Sequence, residues 1–109
     1  MERRENDENA GFRRIRLQEL VFEEITSLLR DDVSDPEIDG VRVTAVIVSV
    51  DYRNARIHYT VRASCSAAEE NAARALARAT PFLRAQLAIA IDMKRVPGLR
   101  FVCDGEVAL

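Results

Sequence analysis

Two arginines stand on either side of a threonine-proline pair, and side chains of these types can bind phosphate groups. Arg78 and Arg84 flank Thr80 and Pro81 in the helix-forming stretch ALARATPFLRAQL. Proline ends or bends a helix, whereas a Thr-Pro pair favours the start of one. The stretch therefore predicts a helix that ends or bends near Ala79 and a second helix that begins at the proline. The free N–H groups of that second helix and the two guanidinium groups would favour an anion. The alternative, that the break only lets two short helices lie across a small sheet, stays open.

The remaining side chains do not have the types or the spacing that catalysis or metal binding needs. The single histidine, His58, lies in an alternating strand pattern, and Cys65 and Cys103 fit neither a CxxC motif nor a zinc-ligand spacing. We interpret both thiols as reduced. The sequence contains no glycine-rich phosphate loop and no nucleophile with an evident base. It thus predicts no enzyme, no catalytic residue, no metal site, no cofactor and no small-molecule substrate.

The length and composition predict one small soluble domain. The chain has 109 residues, of which 48% are hydrophobic, and this is enough for a single compact core. A charged, apolar-poor start predicts a disordered tail over residues 1–11, followed by a single domain over residues 12–109. No apolar run approaches the roughly 20 residues that span a bilayer, and the chain does not open with a secretory signal. We therefore expect a cytoplasmic protein that does not bind a membrane.

The formal net charge of -2 conceals an uneven distribution along the chain. Residues 1–40 hold six arginines against twelve acidic residues, whereas residues 41–109 hold nine arginines and one lysine against six acidic residues. A basic surface can therefore exist on a protein that is mildly acidic as a whole.

Periodic apolar residues predict the elements that must position these side chains. A stripe from Leu17 to Leu29 is typical of an amphipathic helix that ends near Arg30. Residues rich in β-branched types predict a strand over 41–50, and strict alternation predicts a second strand over 55–63, joined to the first by a hairpin at DYRN. One face of this hairpin is apolar, and the opposite face of its second strand is basic and polar.

The second half of the chain predicts helices and a last strand. The pair Ser66 and Glu69 forms a capping box that opens a helix, and an alternating pattern over 99–104 predicts a third strand. The order helix, strand, strand, helix, helix, strand predicts a two-layer α+β domain. If the last strand lies beside the second, the sheet must be mixed.

This element order is that of type II KH domains, and the residues resemble ribosome-binding factor A, a family of bacterial small-subunit assembly factors. KH domains clamp single-stranded nucleic acid with a GXXG loop, which this sequence lacks. The family replaces the loop with a kinked helix marked by Ala-x-Gly, and Ala79, Thr80 and Pro81 are the matching residues here. The resemblance implies a two-layer type II KH-like domain with a broken helix in place of the GXXG loop. It runs from about Phe12 to Asp104 over the stretches FRRIRLQELVFEEITSLLRD, SDPEIDGVRVTAVIVSVDYRNARIHYTV, ALARATPFLRAQL and MKRVPGLRFVCD.

The resemblance implies a ribosome assembly factor that binds the small (30S) ribosomal subunit or its precursor and supports 16S rRNA processing and maturation. We expect it to act as a monomer and to contact rRNA mainly through phosphate groups, so that binding weakens as salt rises. Few aromatic residues are present, and Phe12, Phe82 and Phe101 fit core positions better than a stacking platform. The predicted RNA-contact residues are Arg78, Thr80, Pro81, Arg84, Lys94, Arg95, Arg13, Arg14 and Arg16.

A second hypothesis is a non-catalytic protein-protein interaction module. Such a module would use the acidic first helix or a free sheet edge to bind a protein partner.

Overall fold

The part of the chain that the structure describes folds into two long helices and three strands. The computed structural model describes residues 2–62, 66–92 and 95–104, including the side chains of residues 11–62, 67–92 and 95–104. The predicted α+β class is confirmed, but one helix stands where two short ones were predicted. The elements in chain order are α1 (Glu2–Asp31), β1 (Val41–Val48), β2 (Asn54–Val61), α2 (Ser66–Ile91) and β3 (Gly98–Cys103).

The three strands form one mixed sheet in the order β1-β2-β3. β1 and β2 are antiparallel, and β2 and β3 are parallel, which confirms the mixed sheet expected from the element order. The side chain of Asp51 closes the predicted hairpin, because its Oδ1 accepts hydrogen bonds from Ser49 Oγ at 2.6 Å and from Arg53 N at 3.0 Å. Aspartate often stabilises turns in this way. The turn fixes the register of β1 on β2 and therefore decides which side chains share a row on each face.

Both helices pack against one face of the sheet, and no element that the structure describes covers the other face, which is called the uncovered face below. On β2, Ala55, Ile57 and Tyr59 are buried, whereas Arg56 between them is exposed. This alternation places the apolar side chains of the strand under the helices. The core is completed from both helices and from β1, with Val21, Ile25, Leu28, Leu29, Ala72, Leu76, Leu83, Leu87, Val43, Val46 and Val48.

Helix α1 lies against β1, at one edge of the sheet. Gln18 Oε1 accepts a hydrogen bond from Val48 N at 3.0 Å, which ties the helix to this strand. The stripe predicted from the sequence packs as expected, since Val21 and Ile25 are fully buried. The helix begins at Glu2, so its bounds include most of residues 1–11. The division into a charged tail and a domain over 12–109 stays a prediction.

The predicted break at Thr80 and Pro81 is wrong, because α2 is helical throughout with the proline inside it. Thr80 does not cap a new helix: its Oγ1 donates a hydrogen bond to Leu76 O at 2.8 Å, one turn earlier. The buried residues explain why the helix continues. Leu76, Leu83 and Leu87 are buried, and Ala79 packs against the same core. These four residues follow one another at steps of three or four, so they form one apolar stripe that runs past the proline. The anion site expected at a second helix N-terminus is therefore absent from α2.

Candidate nucleic-acid interface

Arg78 lies on the solvent side of α2 and is bound to the loop that precedes β1. Its Nη2 is 3.3 Å from Asp35 Oδ2 and 3.3 Å from Glu37 Oε2. Asp35 is itself fixed, because its Oδ1 accepts a hydrogen bond from Glu37 N at 3.0 Å. These pairs are exposed enough that each contributes at most about 1 kcal/mol to stability. Two carboxylates nevertheless offset the charge of this guanidinium, which makes Arg78 a weaker phosphate ligand than the sequence suggested.

Arg84 is directed to a different part of the chain. Its Nη2 donates a hydrogen bond to Val96 O at 3.0 Å, in the segment before β3. A backbone carbonyl is neutral, so Arg84 keeps its full charge, and the other N–H donors of its guanidinium remain available. Val96 directly follows the exposed Arg95, so the Arg84 guanidinium lies beside the backbone of the segment that carries Arg95. Lys94 precedes them in sequence but lies outside the described residues.

The structure does not bring Arg78 and Arg84 into one cluster. The loop bound by Arg78 leads to Gly40, whose O accepts from Arg62 N at 2.9 Å beyond the end of β2. The segment bound by Arg84 leads to Gly98, which pairs with Asn54 at the start of β2. The two guanidinium groups thus contact loops that meet opposite ends of the central strand.

The other predicted residues have mixed positions. Thr80 is half-buried and uses its hydroxyl within α2, whereas Pro81 is exposed. The N-terminal arginines lie on α1, on a different element from Arg84 and Arg95. Arg13 and Arg16 are exposed, Arg14 is half-buried, and Arg16 Nη1 forms an ion pair with Glu19 Oε2 at 3.4 Å.

The aromatic rings differ from the prediction. Phe12 is 74% exposed and Phe82 is 42% exposed, so the expectation that both occupy the core is wrong. Phe101 does pack against the core, with its ring centroid 6.3 Å from that of Tyr59. The position of Phe82 follows from the continuous helix, because residue 82 falls beside the stripe that contains Leu83. An exposed ring on the helix that carries Arg84 offers a surface on which a base could stack.

Asp104 links all three strands on the uncovered face of the sheet. Thr44 Oγ1 donates a hydrogen bond to Asp104 Oδ2 at 2.7 Å, and His58 Nδ1 lies 2.8 Å from Asp104 Oδ1. Thr44 reaches this position because the β1-β2 register shifts between Val43 and Ala45. The hydrogen bond from Thr44, followed by that from His58, lowers the pKa of Asp104.

We expect Asp104→Asn to lower the free energy of unfolding by about 0.5–1 kcal/mol at neutral pH, since the carboxylate is partly solvated and its bonds are screened. A lowered pKa in the folded state means that this stabilisation is present above the ordinary carboxyl pKa and is lost as pH falls through the folded value. The difference between wild type and variant should therefore shrink as pH falls from about 5 towards 2. Urea titrations at several pH values measure it.

The exposed Asp32 provides the matched control for that experiment, because only its backbone N–H takes part in a hydrogen bond among the described residues. Asp32→Asn should leave the free energy of unfolding nearly unchanged at every pH. A difference between wild type and the Asp104 variant that does not vary with pH would contradict the assigned role of the carboxylate.

The described residues contain no obvious centre for metal chemistry and no membrane span. No group of three or more His, Cys, Asp or Glu side chains in the described part of the chain could hold a metal ion. Within the same ranges, neither helix combines the length and the apolar character needed to cross a bilayer.

Two helices packed on one face of a three-stranded mixed sheet define a two-layer α+β domain. The chain belongs to the ribosome-binding factor A family, whose model matches residues 13–108. The family resemblance noted in the sequence is thereby confirmed.

Relatives and solved structures agree with this membership. Ribosome-binding factor A of Heliobacterium modesticaldum is 40% identical over 95 residues, which are 87% of this chain and 78% of that protein. The crystal structure of ribosome-binding factor A from Thermus thermophilus is similar with a TM-score of 0.74 at 28% identity, over 83% of this chain and 93% of that one. A homology model of the Thermus thermophilus factor, fitted into a cryo-electron microscopy map of its 30S complex, has a TM-score of 0.67 at 26% identity and covers 80% and 90% of the two chains.

Proposed function

We propose that this protein binds the small ribosomal subunit or its precursor, without catalysing a reaction, and supports processing and maturation of 16S rRNA. The observation that carries the proposal is the family match over residues 13–108, which covers both helices' packed parts and the whole sheet. A relative of the same fold occupies a complex with the 30S subunit. The proposed place of action is the cytoplasm, and the proposed active form is a monomer.

The proposed RNA contact is centred on Arg84 and Arg95, with Lys94 beside them in sequence. Arg84 is suited to this role because its hydrogen bond to Val96 O at 3.0 Å holds the side chain in place while its charge stays unpaired by any described carboxylate. A side chain that is already ordered loses less conformational freedom when a phosphate binds. Arginine also donates two parallel N–H groups to one phosphate, which strengthens each contact.

The remaining predicted residues take secondary places in the proposal. Arg78 must share its guanidinium with Asp35 and Glu37, so a phosphate has to compete with two carboxylates. Pro81 contributes exposed surface, and Thr80 acts through the helix rather than by a free hydroxyl. A separate candidate contact lies in the middle of α1 and consists of Arg13, Arg14 and Arg16.

Sedimentation with purified bacterial small subunits tests this function. The protein should travel with small subunits at low salt, and its affinity should fall steeply as salt rises, because RNA binding through phosphates releases counterions. The double variant Arg84→Gln with Arg95→Gln should bind about tenfold more weakly, since each lost charged hydrogen bond contributes roughly 1.5 kcal/mol or less in partly solvated sites.

A variant with the same loss of charge elsewhere provides the control. Arg30→Gln with Arg74→Gln removes two exposed arginines that are paired with Asp31 and Glu70, respectively. This control should bind nearly as wild type does. Equal weakening by both double variants would mean that net charge alone matters and would remove the site assignment. Wild-type protein that ignores small subunits even at low salt would refute the function and leave the protein-interaction hypothesis.

A further inference from the structure

The uncovered face of the sheet carries two arginines that lie directly beside each other. Arg56 on β2 and Arg100 on β3 are partners in the parallel register, and both side chains are exposed. On the other side of Arg56, the register places the exposed side chain of Ile47. Neighbouring strands are about 4.8 Å apart, so the two guanidinium stems start within easy reach of one another.

This juxtaposition has no counter-charge within the described fold. Neither Arg56 nor Arg100 forms an ion pair or a side-chain hydrogen bond with any residue that the structure describes. Asp104 is the one acidic side chain among the described strand-face positions on this side, and its two oxygens are bound to Thr44 and His58. Like charges opposite each other on a sheet are destabilising. The fold therefore keeps an unfavourable pair that nothing inside the described chain offsets.

The residues around this arginine pair are less exposed than the pair itself, and a further arginine lies on the same face. The next row along the sheet holds Ala45 and Val102 on either side of His58, and these three side chains are half-buried, whereas the two arginines are exposed. Further along, the exposed Arg42 on β1 lies in register with Thr60. The described strand positions on this face carry no exposed aromatic ring, so the face suits the contact of a charged backbone rather than the stacking of bases.

We infer that the uncovered sheet face is a second RNA-backbone contact, in which Arg56 and Arg100 hold one phosphate group between them and Arg42 extends the contact along the chain of phosphates. The inference rests on the proposed function, because RNA is the partner that the family match suggests. A phosphate between the two guanidinium groups replaces their repulsion with two charge-assisted contacts. This contact recognises phosphate charge and does not depend on the base sequence. It lies on the face of the sheet opposite to α2.

Two variants separate a binding role from a structural one. Arg56→Gln with Arg100→Gln removes both charges, and Arg100→Glu lets residue 100 pair with Arg56 while changing the net charge by the same amount. Because the parent pair is repulsive, both variants should melt at or above the temperature of the parent. Both should nevertheless bind RNA about tenfold more weakly, as expected for the loss of one well-held phosphate.

Binding is measured by fluorescence anisotropy with a labelled single-stranded polyuridylate oligonucleotide and by sedimentation with purified small subunits. For the oligonucleotide, the slope of log affinity against log salt should decrease by about 0.7 in each variant, which corresponds to one phosphate contact. Arg30→Gln with Arg74→Gln again serves as the charge-matched control and should keep the parental slope.

Unchanged affinity and slope in the two sheet variants, while the parent binds both probes, would overturn the inference and leave the proposed function intact. If the parent binds the oligonucleotide but not small subunits, the proposed function fails, and the oligonucleotide data alone decide the sheet contact. A large drop in melting temperature in both variants would show that the arginines stabilise the fold, which also contradicts the inference.

Discussion

Replacing Leu83 with alanine is expected to lower the free energy of unfolding by about 3 kcal/mol, close to the loss expected for Leu76→Ala. Both leucines are completely buried, and they lie on opposite sides of Pro81 in the same helix. Truncation of either side chain leaves a cavity in the single core cluster that joins α2 to the sheet. Equal losses are expected because one continuous helix holds both residues against the same core.

Ile89→Ala is the matched control for the second half of the helix. Its side chain is 75% exposed on the same helical segment as Leu83, so the substitution should change the free energy of unfolding by no more than about 0.5 kcal/mol. Denaturant titrations of the three variants, with an unchanged slope against denaturant, measure the comparison. A loss at Leu83 much smaller than at Leu76 would mean that the segment after the proline is loosely attached, as a broken helix would be.

The fold was largely predictable from the sequence because its signals are local and periodic. The alternation that buries Ile57 and Tyr59 identified β2 without any knowledge of its neighbours. The sequence leaves the strand order open, because a long helical connection allows β3 to lie beside either strand of the hairpin, and the structure places it beside β2. At Pro81 the local preference of proline predicts a break, whereas the burial of Leu76, Leu83 and Leu87 on one stripe keeps α2 helical.

The candidate site is harder to predict from local sequence signals, because the availability of an arginine depends on partners far away in sequence. Arg78 forms ion pairs with Asp35 and Glu37, which lie in the loop before β1, two strands earlier in the chain. The spacing of residues along the sequence does not indicate such a contact. The pairing of Arg56 with Arg100 depends on the parallel register, which the hairpin turn and the helical crossover set together. Composition points to arginine as the candidate residue type, and only the tertiary structure decides which guanidinium groups are unpaired within the described residues.

Pro81→Ala is expected to raise the free energy of unfolding by about 2 kcal/mol. Proline in a helix interior is roughly 3 kcal/mol less favourable than alanine, because its nitrogen has no hydrogen to donate to the Ala77 carbonyl and its ring crowds the preceding turn. About 0.4–1 kcal/mol of this stabilisation is offset, because alanine makes the unfolded chain more flexible and so favours unfolding. Pro81 lies far from Ser66, where α2 begins, so the tolerance that proline has in a first helical turn does not apply.

The same substitution distinguishes a continuous helix from a restarted one. If Pro81 were the first residue of a new helix capped by Thr80, alanine would be neutral or slightly destabilising, since proline is well suited to that position. Pro81→Gly restores the N–H group without the helix preference of alanine and should be about 1 kcal/mol less stable than Pro81→Ala. Thermal and denaturant unfolding of both variants provide the measurement. A clear loss of stability in Pro81→Ala would contradict the expected cost of an interior proline and would indicate that the proline ring itself helps to position Leu83 and Leu87 in the core.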